Sequence, residues 1–156
     1  MYMYIKIPLK PICKKNNMRI ITVAGHARLV QSKAYKKYER DVKPYLRPLA
    51  EPIDHAVNVK YTYWIHKNKD GSIPKTQIDL TNLMSATDDL LVKYGILKDD
   101  NILILAAHDG SRAYYIGHEF EECTEIEITE EVPDFSRKAT PDQVPQIQQG
   151  GSLLLQ

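Results

Sequence analysis

Asp79, Asp88, Asp89 and Asp100, four of the five aspartates between positions 79 and 100, fall within 22 consecutive residues. The first opens the run Ile78-Asp79-Leu80-Thr81-Asn82-Leu83, and the last closes Lys98-Asp99-Asp100-Asn101. Carboxylates are hard oxygen donors. Mg²⁺ is held by a few of them and keeps several waters, and Mn²⁺ accepts the same ligands. A cation held in this way can drive phosphodiester cleavage, activating a water and stabilising the leaving oxygen. The plainer alternative is that these acids cap and flank a helix in solvent.

The element that must position them is a helix over Thr81–Tyr94, with Leu83, Leu90 and Leu91 inward and Gly95 as its stop. A helix of 14 residues separates its ends by about 20 Å. Asp79 and Asp100 can therefore share one site only if the chain folds back or a second subunit contributes. Thr81, Ser85 and Asp88 share one helical face, and Asn82, Ser85 and Asp89 another.

Around this helix the chain alternates between two periodicities. Met3–Leu9 and Arg19–Val23 read as strands, and Gly25-His26-Ala27-Arg28 as a loop. Ser32 is an N-cap for a helix running to about Leu46, interrupted near Pro44, with Tyr35, Tyr38 and Val42 as its apolar stripe. Val57–Ile65 alternates strictly and is a half-buried strand. Asp70-Gly71 marks a turn, and Ile102–Ala107, Arg112–Ile116 and Glu125–Thr129 complete the strands. From Pro133 onward Pro, Gln, Gly and Ser dominate. The expectation is one α+β domain over 1–132, a mixed β-sheet with two main helices, followed by a disordered tail over 133–156.

The net charge of +1 hides an asymmetry. Residues 1–70 hold 15 Lys+Arg against 5 Asp+Glu, a charge of +10, and residues 71–156 hold 6 against 15, a charge of −9. A basic half can bind phosphates and an acidic half can collect metal; alternatively the halves neutralise each other across the fold or a dimer interface. No apolar run approaches the length of a membrane span, and the N-terminus lacks a signal-peptide core. The expected location is the cytoplasm, with no membrane partner. Cys13 and Cys123 have neither zinc spacing nor a disulfide framework and are read as reduced thiols.

Asp79-Leu80-Thr81-Asn82-Leu83, a helix, Gly95, then Asp99-Asp100 resembles the RusA-type Holliday junction resolvases. Pro11–Ile20 resembles the family's N-terminal Lys-Lys-Asn segment, and Ser32–Glu39 the helix after it. His108-Asp109-Gly110-Ser111-Arg112 resembles a segment of the phage and prophage members from Gram-positive hosts, and the similarity spans roughly residues 4 to 130. The resemblance implies a small Mg²⁺-dependent homodimeric endonuclease, with Asp79 and Asp100 in the acidic site. Thr81 stands where the family has a second Asp, and Ser85 where it has a Lys.

These departures direct attention to substitutes. Asp88 or Asp89 is the candidate carboxylate, with the Thr81 hydroxyl as minor ligand or N-cap. The expected metal set is Asp79, Asp88 and Asp100. Lys75, Lys98, His108 or Arg112 could replace the missing lysine. His108 could also be a general acid or base, or simply structural. Arg112 could grip phosphate in bidentate fashion, or pair with Glu119, Glu121 or Glu122. Lys14, Lys15, Asn16 and Arg19 form a candidate phosphate-contacting turn, and Lys33, Lys36, Lys37 and Arg40 a basic helical face. The implied activity is resolution of four-way DNA junctions in recombination and repair. The implied setting is a bacterial host carrying the phage or prophage. The alternatives are a junction-binding protein that cuts poorly, a metal nuclease for flaps or other branched DNA, and a phage protein that binds a host protein.

Overall fold

A computed structural model describes residues 1–14 and 18–131. The expected tail over 133–156 lies outside the described residues, as do Lys15 and Asn16. The expected α+β architecture is present. The elements run β1 (Tyr2–Ile7), β2 (Met18–Val23), β3 (His26–Gln31), α1 (Lys33–Val42), a 3₁₀ turn (Lys43–Tyr45), β4 (Val57–His66), α2 (Leu80–Lys93), β5 (Leu105–Ala107), β6 (Arg112–Ile116) and β7 (Cys123–Glu130).

The mixed sheet is ordered β1-β7-β4-β5, and β6 also pairs with β4. β4 runs antiparallel to β7 and parallel to β5 and β6. Val57, Val59, Tyr61, Tyr63 and Ile65 of β4 turn into the core, where they join Ile126 and Ile128 of β7. The stripe Tyr35, Tyr38 and Val42 of α1 and the residues Leu83, Leu90 and Leu91 of α2 close that same core. Alternation in the strands and helical spacing in the helices thus meet on one side of the sheet. Both cysteines are buried. Among the described residues no helix is long and apolar enough to cross a membrane.

Two expectations need correction. Gly25–Arg28 is not a loop: His26 begins β3, which pairs with β2 from Val23↔His26 to Met18↔Gln31. The turn is only Ala24 and Gly25, both at positive φ (50° and 79°), the backbone that a tight two-residue hairpin turn demands. Ile20 (73% exposed) and Leu29 (63%) face each other in this hairpin, so no one-sided burial writes an alternation into its sequence. Ile102–Ala107 is not one strand either. Asn101 caps a turn by accepting the Leu103 N–H at 2.9 Å, Ile102 and Leu103 are exposed, and the strand holds only Leu105–Ala107.

α2 has clear boundaries. Asp79 Oδ1 accepts from the Thr81 N–H at 2.9 Å and from the Thr81 hydroxyl at 2.6 Å, so Asp79, not Thr81, is the N-cap, and Thr81 supplies both donors to it. At the other end Gly95 takes φ 70°, the Ile96 N–H reaches Leu91 O and the Gly95 N–H reaches Val92 O. This is a Schellman closure, which a side-chain-bearing residue at the Gly95 position would strain.

Candidate active site

α2 carries Asp88 and Asp89 in adjacent positions with opposite surroundings. Asp88 is buried (8% exposed), beneath the helix and against β4. Its Oδ1 accepts from the Tyr61 hydroxyl at 2.5 Å, and its Oδ2 lies 3.2 Å from His108 Nε2. The His108 ring also holds Val59 O through Nδ1 at 2.8 Å and packs against the Tyr61 ring with centroids 5.2 Å apart. Both acceptors lack protons to give, so both ring nitrogens serve best as donors, as in an imidazolium. Burial opposes charging the ring, but the Asp88 carboxylate and the Val59 carbonyl outweigh it and hold His108 above the usual histidine pKa. Burial first, then the Asp88 charge, push the Tyr61 phenol far up, so it remains a donor.

Asp89 is half-buried at the helix edge and pairs with Lys14 Nζ at 3.1 Å. Its charge reaches Asp100. Desolvation, then Asp99 by hydrogen bond and charge, then Asp89 raise the Asp100 carboxyl above the usual carboxylate range. Asp99 goes the other way, lowered by hydrogen bonds from Asn101 Nδ2 and the Asp100 N–H. Asp99 and Asp100 follow the exit of α2, and Asp89 lies on its last turns. Asp79, exposed at the entry, is ten residues from Asp89, about 15 Å along the axis.

Among the described residues no three acid, histidine or cysteine side chains are gathered closely enough to hold a metal ion. The donors present nonetheless fit a hard cation. They are carboxylates, the oxygen ligands that Mg²⁺ takes, and Asp79 and Asp100 are exposed to solvent.

The other sequence candidates are scattered. Asp88 and Ser85 do not share an environment, since Ser85 is exposed and Asp88 is buried. Arg112 pairs in register with Thr62 and opens on a cleft with Lys60, Trp64, Tyr114, Glu125 and Glu127, on the sheet face away from α2. Arg19 and Lys36 are exposed, Lys37 is tied to Asp41, and Lys98 lies 3.7 Å from Asp54. The basic and acidic halves of the chain do meet in ion pairs, Lys14–Asp89 and Lys60–Glu127 among them. Sequence reasoning missed the tie from Lys14 to Asp89 and the part of Tyr61. Tyr61 read only as one inward position of an alternating strand, and nothing in that pattern distinguishes a phenol that caps a carboxylate from one that merely packs.

The model of the family described as endodeoxyribonuclease RusA matches residues 8–129. The chain belongs to the RusA endodeoxyribonuclease family. It is thus an enzyme, a crossover junction endonuclease, of a kind that is generally metal-dependent. No curated protein matches the chain. Within this RusA-family chain Asp79 and Asp100 fall at the entry and beyond the exit of α2, both exposed.

Proposed function

We propose that this protein is a Mg²⁺-dependent resolvase that works as a homodimer on four-way DNA junctions, each subunit hydrolysing one of two opposed phosphodiesters. The observation that carries this reading is the match to the RusA family over residues 8–129, in a chain whose Asp79 and Asp100 are exposed and whose Asp89 is half-buried at the edge of α2. Of the four candidate carboxylates Asp79, Asp89 and Asp100 reach solvent, and Asp79 stands too far along α2 to join Asp89 on one ion unaided. The set is therefore completed by a second subunit or by more than one ion. When bound, the cation neutralises the phosphate and activates the attacking water. Mn²⁺ substitutes for Mg²⁺. The enzyme is encoded by a phage or prophage and acts in the cytoplasm of its bacterial host.

The chain's own residues have separable parts in this reading. Asp79 holds the helix entry from an exposed position. Lys14 brings an ammonium to the face of α2 that carries Ser85 and Asp89, four residues apart, and so supplies the positive charge that position 85 lacks. Arg19, Lys36 and Lys37 contact the DNA backbone, as do Lys15 and Asn16, so affinity falls steeply with salt. Arg112, on the far sheet face, serves a different stretch of the same DNA. His108 and Asp88 lie behind Asp89 and do not touch the reacting atoms.

The test is nicking of a labelled synthetic four-way junction with Mg²⁺ or EDTA, by wild type and Asp79→Asn. Paired symmetric cuts that need Mg²⁺ and vanish in the variant support the resolvase. Tight junction binding without cuts in Mg²⁺ or Mn²⁺ sinks it in favour of a junction-binding protein. Cuts restricted to flaps would make the substrate a different branched DNA.

A further inference from the structure

β5 and β6 lie along the same edge of β4, one at each end of it, and residues 108–111 bridge the gap between them. Across the gap the regular ladder is replaced by side chains. Asn58 Oδ1 accepts from the Asp109 N–H at 2.7 Å and Asn58 Nδ2 donates to Asp109 O at 3.3 Å. Ser111 Oγ accepts from the Tyr61 N–H at 3.0 Å, and the His108 ring takes Val59 O. These bonds answer backbone groups that an uninterrupted strand would have served. Only the His108 ring continues past the sheet, to Asp88 on α2.

We infer that Asp88 and His108 are positioning residues: the chain Val59 O–His108–Asp88–Tyr61 hydroxyl fastens the third turn of α2 to β4 and thereby sets where Asp89 stands relative to Asp100. The inference rests on the resolvase reading in taking Asp89 and Asp100 as the reactive edge. Three considerations carry it. Both oxygens of Asp88 are already engaged, by the buried Tyr61 phenol and the partly buried His108 ring, and a carboxylate pulled away to a cation would leave Tyr61 and His108 without their partner. Asp88 and Asp89 are consecutive on a rigid helix, so rotation or lift of that turn moves Asp89 with it. Finally, apolar contact alone does not specify helix rotation sharply, whereas hydrogen bonds to two side chains on separate elements do.

An amide can take the place of the carboxylate here. In Asp88→Asn the amide oxygen would accept from Tyr61, and the amide nitrogen would donate to a neutral His108 that still gives its Nδ1 proton to Val59. An amide is a poor substitute for a metal-binding carboxylate. Asp88→Asn and Asp88→Ala therefore separate the two roles. The experiment measures single-turnover junction cleavage in Mg²⁺, junction affinity, and the carboxyl carbon NMR signals of Asp89 and Asp100 without metal. Asp88→Ala should slow cleavage about tenfold or more, in the range of lost outer-shell partners, with affinity unchanged and both signals displaced. Asp88→Asn should restore the rate and both signals. A folded Asp88→Asn as inactive as Asp88→Ala, or an Asp88→Ala that leaves the two signals in place, overturns the inference. If Asp88→Ala does not fold, Tyr61→Phe and His108→Ala each remove one tether and should displace the same signals by less; undisturbed signals in both overturn it. Absence of cleavage by wild type would defeat the resolvase reading alone, since the NMR signals report the positioning without any DNA.

Discussion

Asp88 and Asp89 are adjacent in sequence, identical in chemistry and carried by one helix, yet they belong to different parts of the molecule. Asp88 faces β4, where each of its oxygens has a side-chain donor. Asp89 faces the edge, where Lys14 pairs with it. The 100° step between successive helical residues is the whole cause of the difference. It teaches that a carboxylate's task is set by what the neighbouring element offers. Against a core strand it becomes a fastening, and against a solvent-filled edge it stays available to a cation.

The largest effect that would sharpen this contrast is on cleavage. Asp79→Asn, Asp89→Asn and Asp100→Asn should each slow junction cleavage by more than about 100-fold, the upper end of what an outer-shell partner costs. Asn caps a helix about as well as Asp, so Asp79→Asn should melt with the wild type while losing activity. An active Asp89→Asn would erase the distinction from Asp88.

The next effect is on stability, on the buried side. Tyr61→Phe removes a donor from a buried carboxylate and should cost about 1–3 kcal/mol in urea unfolding. The pH dependence is a third. His108 is raised above its unfolded value in the folded protein. The stability from its pairing with Asp88 is therefore fully present below the unfolded pKa, about 6.5, and is lost as pH rises through the folded pKa. Urea midpoints across that window should fall toward high pH in wild type, and Asp88→Asn should flatten this component. A rise toward high pH would mean that His108 is held neutral. The smallest effect belongs to the edge: Lys14→Ala should change stability by only about 0–1 kcal/mol, as half-exposed ion pairs do, while its cleavage rate falls. A Lys14→Ala protein that cuts at the wild-type rate would remove lysine from the reaction.

Much of the fold was legible in the chain. Burial on one side only imposes alternation on β4 and a stripe on α1, and the acid at position 79 and Gly95 mark the ends of α2 through local backbone chemistry. The β2–β3 hairpin was half missed because it buries neither face, so its pairing leaves no periodic trace. The stretch around Ile102 misled for the opposite reason: apolar residues in a turn imitate a buried strand when only composition is read.

For the candidate site, sequence by itself determined that Asp79 and Asp100 bracket one helix, because spacing along a helix is a local property. It placed Asp88 ahead of Asp89 in the expected metal set and left His108 as either reagent or support. Tertiary structure alone gave the two acids their different surroundings. The partners of Asp88 come from positions 61 and 108, and that of Asp89 from position 14. Contacts between residues so far apart in the chain depend on how the sheet and helix pack, and no local pattern encodes them.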